Sequence, residues 1–136
     1  MIINSIKQGQ EAIYKHNHEL LRKGANRLVE AWGTELLVPL EKCSTMAVVR
    51  NPLDSWAAEG VNPHELLWDR YKIRVAGGFE MPGVEGVWSR ISAQVYNDED
   101  DYERLAQAVL ELKAEKEAEQ TQAAEETAAV AVVEED

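Results

Sequence analysis

The stretch Ser89-Arg90-Ile91-Ser92-Ala93-Gln94-Val95-Tyr96-Asn97 sets one arginine among small and polar neighbours and ends in a Tyr-Asn pair. Alternation over residues 87–95 predicts a β-strand. Val87, Ser89, Ile91, Ala93 and Val95 would share one face, with Trp88, Arg90, Ser92 and Gln94 on the other. A guanidinium on a strand is held in a fixed direction and can donate two parallel hydrogen bonds, which suits it to anchor a carboxylate. The same residue could instead form a structural salt bridge to a carboxylate on a neighbouring helix. The residue pattern leaves both open.

Other chemical signatures are missing. No G-x-G-x-x-G, P-loop, H-E-x-x-H or cysteine pair occurs. His16 and His18 are two residues apart, so on a helix they point about 200° away from each other rather than to one metal. Both are expected at the surface. Cys43 is the sole cysteine; it excludes an internal disulfide and reads as a bystander. Trp32, Trp56, Trp68 and Trp88 have no interleaved basic residues and are expected to pack rather than to stack on nucleobases.

The elements that must position Arg90 follow from periodicity. Residues 11–32 read as a long amphipathic helix, with Ile13, Asn17, Leu20, Leu21, Gly24, Leu28 and Trp32 at spacings of three and four and Gly33 as its stop. Residues 36–40 suggest a short extended piece, and residues 45–50 a strand ended by Asn51-Pro52. A second helix over residues 62–71 has Asn62 as cap, Pro63 in its first turn, and Leu66 and Leu67 as its apolar face. A second strand is expected at residues 72–75, then a glycine-rich loop, then the Arg90 strand. A last helix opens at Asn97 or Asp98, with an acidic first turn and a stripe of Tyr102, Leu105, Val109 and Leu112. The expected fold is α+β: a small antiparallel sheet with helices on one face, a long N-terminal helix and an acidic tail.

The domain boundaries are residues 1–10 as a lead-in, 11–112 as the folded unit, and 113–136 as a low-complexity Ala/Glu-rich tail, either frayed helix or disordered. The net charge is −11, of which the tail supplies −6. That balance argues against nucleic-acid or anionic-membrane partners, since no basic patch is available to neutralise phosphates. No apolar run approaches the roughly 18 residues of a membrane span. The first ten residues have no apolar stretch suited to a signal peptide, so a cytoplasmic setting is expected.

Arg90-Ile-Ser-Ala-Gln-Val-Tyr-Asn97, followed by Asp101-Tyr-Glu-Arg-Leu-Ala106, resembles the C-terminal small domain of class V aminotransferase-like (fold type I) pyridoxal-phosphate enzymes. The likeness is greatest to the isopenicillin N epimerase-like and cysteine desulfurase-like branch, whose pattern is R-x-S, then Y-N, then an acidic residue opening the last helix. Upstream, His16-Asn17-His18-Glu19-Leu20-Leu21, Gly24-Ala25 and Trp32-Gly33-Thr34 resemble its interdomain helix. Residues 44–52 and 67–75 resemble its first small-domain strand and its next helix–strand junction. The match runs in unbroken order over residues 5–112.

The resemblance implies that Arg90 takes the α-carboxylate of an amino-acid substrate and that Tyr96 and Asn97 shape the turn beside the cleft. It implies pyridoxal 5'-phosphate in the complete enzyme, held by a large domain that also carries the catalytic lysine. It further implies a tendency to homodimerise. None of the lysines here (Lys7, Lys15, Lys23, Lys42, Lys72, Lys113 and Lys116) lies in that family's cofactor setting. The chain alone is therefore expected to bind no cofactor and to be inactive. It would act as part of an epimerase, a desulfurase or lyase, or a transaminase, with the missing large domain or a full-length homologue as partner. The alternatives are a freestanding interaction or regulatory module that pairs with a full-length relative, and a non-functional remnant.

Overall fold

The computed structural model describes residues 2–53, 59–77, 83–94 and 96–135. Helix α1 (Ile2–Trp32) begins at Ile2 rather than at residue 11, because nothing in the lead-in breaks the helix. Leu20, Leu21, Leu28 and Trp32 are buried as the periodicity requires, but Ile13 is 48% exposed, within a stretch, residues 6–16, that is exposed throughout. Gly33 stops the helix in a left-handed conformation (φ 65°), and Thr34 N–H closes back on Val29 C=O at 3.3 Å.

Strands β1 (Met46–Asn51), β2 (Ala76–Gly77) and β3 (Val87–Ser92) form one antiparallel sheet in the order β1-β3-β2. Outside β1, Leu36 bridges to Val49, and the flanking bonds Leu37 N–H to Val48 C=O and Arg50 N–H to Glu35 C=O, both 3.0 Å, cover that edge. The remaining edge is β2.

The strand expected at residues 72–75 is displaced. Lys72 takes a left-handed conformation (φ 57°) and its N–H caps the end of helix α2 (Pro63–Tyr71). Ile73 N–H is likewise drawn back to Leu67 C=O at 3.2 Å, so pairing with β3 starts only at Ala76. The start of α2 is as expected: Asn62 Oδ1 accepts from His64 N–H at 3.0 Å and Pro63 sits in the first turn.

Helix α3 (Glu99–Glu135) opens with a reciprocal capping box. Asp101 N–H donates to Asp98 Oδ1 and Asp98 N–H to Asp101 Oδ2, both at 3.1 Å. Tyr102, Leu105, Val109 and Leu112 are buried. The tail, expected to be either frayed helix or disordered, is helical through Glu135. Alanine, glutamate, glutamine and lysine are strong helix formers, and residues 117–130 are exposed along their whole length.

The core lies between one sheet face (Ala47, Val49, Ile91, Ala93) and the helix pair α1/α3. Across that pair Trp32 Nε1–H donates to Ala106 C=O at 3.3 Å, and Arg27 grips Glu103 through two bonds of 2.6 and 3.0 Å. The guanidinium holds the Glu103 carboxyl down at about 2. The opposite sheet face, with Met46, Arg90, Ser92 and Ala76, is exposed. No described helix is long and apolar enough to cross a membrane.

Candidate functional site

The three site residues come together in one groove of about 610 Å³, where the end of β3, the lead into β2 and the first turns of α3 meet. Arg90 is on the exposed sheet face, directly opposite Ala76 on β2 and Val48 on β1. Its guanidinium makes no hydrogen bond or ion pair with any described residue. The salt bridge to a helix carboxylate that the sequence allowed is therefore absent among those residues.

Asn97 and Tyr96 contribute differently. Asn97 Oδ1 accepts from Gln94 N–H at 3.0 Å, and its Nδ2–H donates to Asp101 Oδ2 at 3.1 Å. Both ends of the amide are thus engaged in tying the end of β3 to the start of α3. Tyr96 stands at the turn with its ring 83% exposed. Tyr102 closes the floor of the groove. Its hydroxyl donates to Ser92 C=O at 2.7 Å, and burial, helped by nearby Asp101, pushes its pKa up to about 12, so it remains a donor at every working pH.

The periodicity did not single out Lys72, Arg74 and Arg104, which line the same groove. The signal was present in the alternation of Lys72 and Arg74 with the half-buried Ile73 and Val75. Trp68, expected to pack inside, is 41% exposed instead. Arg74 lies over its ring at 4.5 Å from the centroid and Lys72 at 5.4 Å. Trp32 and Trp88 are buried as expected, and Trp56 falls outside the described residues.

Beneath the strand is a buried polar network that the sequence did not reveal. Ser89 Oγ is 2.7 Å from His64 Nε2 and accepts from Asn51 Nδ2–H at 3.2 Å, while Asn51 Oδ1 accepts from Leu53 N–H at 2.9 Å. Burial pushes the His64 pKa down to about 4, so the ring is neutral. Ser89 gave the only hint, being polar at an inward-facing position. Its partners lie 25 and 38 residues away in sequence.

His18 is at the surface end of α1, with Nδ1 at 3.2 Å from Ser44 C=O, and His16 is exposed. Cys43 is half-buried and turns its thiol to the Val38 and Pro39 carbonyls. The described residues hold no cluster of three metal-ligating side chains.

No family model matches the chain. Over 115 residues it is 32% identical to the probable chloroplastic L-cysteine desulfhydrase of Arabidopsis thaliana, a match that takes in 79% of this chain and 24% of that protein. It is 33% identical over 128 residues to a second Arabidopsis thaliana protein, L-cysteine desulfhydrase, covering 81% of this chain and 28% of the relative. The putative L-cysteine desulfhydrase 1 of Oryza sativa subsp. japonica is 31% identical over 133 residues, covering 83% and 27%. Over about four fifths of its length the chain is similar to proteins named as L-cysteine desulfhydrases.

It spans about a quarter of the length of these relatives. A match to four fifths of the chain, wherever it begins, takes in everything from Lys72 to Leu105. The groove therefore lies wholly within the region shared with the desulfhydrases.

The residues present do not fit a covalent hold on a cofactor. Lys7, Lys15, Lys23, Lys42 and Lys72 are exposed, Lys113 is half-buried within reach of Glu117 at 3.9 Å, and Lys116 pairs with Glu59. Lys72 is the one lysine at the groove, and its Nζ lies over Trp68.

Proposed function

We propose that this chain is the small-domain part of a pyridoxal-phosphate-dependent enzyme of the class V aminotransferase-like group, and that it acts on an amino acid such as cysteine. Its own contribution is to bind the substrate's α-carboxylate at Arg90. The cofactor and the lysine that holds it belong to a large domain outside residues 1–136, which covers the sheet face carrying Arg90. Carbon–sulfur cleavage, as in the desulfhydrases, is favoured over epimerisation and transamination by the names of the relatives.

The observation that carries this is Arg90 on a strand, without a hydrogen-bond or ion-pair partner among the described residues. A free guanidinium fork in a groove, on a chain rich in carboxylates that could have neutralised it, suits a ligand carboxylate. Asn97 and Asp101 brace the turn below it, and Tyr96 stands at the rim. The anchor fixes the substrate's Cα relative to the rest of the enzyme, which lowers the entropic cost of reaching the reactive geometry.

The division of labour is tested by treating the purified chain with pyridoxal phosphate and borohydride and mapping adducts by mass spectrometry. Scattered partial labelling of surface lysines is expected. Stoichiometric labelling of a single lysine would contradict the assignment of the cofactor to another domain.

A further inference from the structure

We infer that the groove holds a second anion subsite, made by Arg74 and Arg104, able to take a further acid group on a ligand whose first carboxylate is held at Arg90. The inference rests on Arg90 being the carboxylate anchor proposed above and extends it to the far end of the ligand.

Three facts support it. Arg74, on the lead into β2, and Arg90, on β3 opposite Ala76, line the same groove. The Trp68 ring beneath Arg74 fixes where its guanidinium lies without neutralising it. Arg104 faces the same groove from α3 and makes no hydrogen bond or ion pair with a described residue.

Glu65 and Asp69 line a neighbouring pocket with Arg74 but form no ion pair with it, and other carboxylates near the groove are engaged elsewhere. Glu103 is bound to Arg27, Glu111 accepts from the Tyr71 hydroxyl at 2.8 Å, and Glu115 accepts from Arg70 at 2.5 Å. Asp101, the one described carboxylate lining the groove, receives Asn97 Nδ2–H and Asp98 N–H on the same oxygen. On a chain of net charge −11, three arginines without an acidic partner among the described residues in one groove hold more positive charge than a single ligand carboxylate would balance. A second acid group on the ligand would be drawn to the pair by the same charge-assisted hydrogen bonding that serves the first.

The test compares succinate with butyrate, which have four carbons each and two carboxylates against one. The 136-residue chain is titrated at constant ionic strength and the arginine Nε–Hε resonances are followed. Succinate is expected to bind roughly two- to fivefold more tightly, the worth of one further partly exposed charge pair. The double variant Arg74→Gln/Arg104→Gln should abolish that preference, weakening succinate binding more than butyrate binding. Both residues are exposed, so the fold is expected to survive. Equal or undetectable binding of succinate, or a preference that persists in the double variant, overturns the second subsite. Arg90→Gln separates this from the underlying assignment: butyrate binding indifferent to Arg90→Gln would refute the anchor itself, whatever the succinate ratio.

Discussion

The Tyr102 ring occupies the space that a side chain on Gly24 would need: a Cβ there would come within 2.7 Å of Tyr102 Cγ. The ring cannot easily retreat, since its hydroxyl is tied to Ser92 C=O and its face is in the core. Gly24→Ala is therefore expected to cost about 1–3 kcal/mol by overpacking, read from urea melts. Against a Tyr102→Ala background the same change should become neutral or stabilising, because alanine exceeds glycine in helix propensity by about 1 kcal/mol. Additive effects of the two changes would show that the helices do not meet through this pair.

Acid sensitivity should trace to His64. Its ordinary pKa of 6.5 is lowered to about 4 by burial, with Ser89 at its Nε2. Between those values the unfolded chain binds a proton that the native state refuses, so stability falls as the pH drops below 6.5 and levels off below about 4. From pH 7 to pH 5 the loss due to this ring should be about 2 kcal/mol. His64→Gln keeps a polar group for Ser89 without a titrating ring, and it should flatten stability over that interval. An unchanged slope in His64→Gln would assign the sensitivity to other groups.

The fold was largely legible in the sequence, because α1, the two longer strands and the first turns of α3 have apolar patterns matched to burial on one side. The displaced β2 was not. Its start is decided by Lys72 N–H and Ile73 N–H closing the end of α2, which is a competition between two backbone partners rather than a side-chain pattern. Arg90, Tyr96 and Asn97 were legible as a local motif. The meeting of Arg74 and Arg104 was not, since only the folded chain brings the lead into β2 beside the first turns of α3. The same holds for the network of Asn51, His64 and Ser89.

The distal part of α3 should be dispensable. Residues 117–130 are exposed, and among the described residues the last ion pairs that tie the helix to the body are Glu115 with Arg70 and Lys116 with Glu59. Ending the chain at Glu119 should leave Tm within about 3 °C, well below the loss expected from removing a core element, while helical circular dichroism falls. A fall in Tm comparable to a core substitution would mean that this segment docks.

The carboxylate anchor is tested most directly by kinetics on the assembled enzyme, with residues 1–136 fused to or co-expressed with the cofactor-binding large domain. Arg90→Ala should lower kcat/KM for an amino-acid substrate by about 30- to 1000-fold, the loss of roughly 2–4 kcal/mol from a charge-assisted bidentate contact. Arg90→Lys should restore only part of it, because an ammonium lacks the planar fork. For the corresponding amine without a carboxylate, the wild type and Arg90→Ala should differ little. If Arg90→Ala slowed both substrates equally, or lowered Tm without altering kcat/KM, Arg90 would not be the carboxylate anchor.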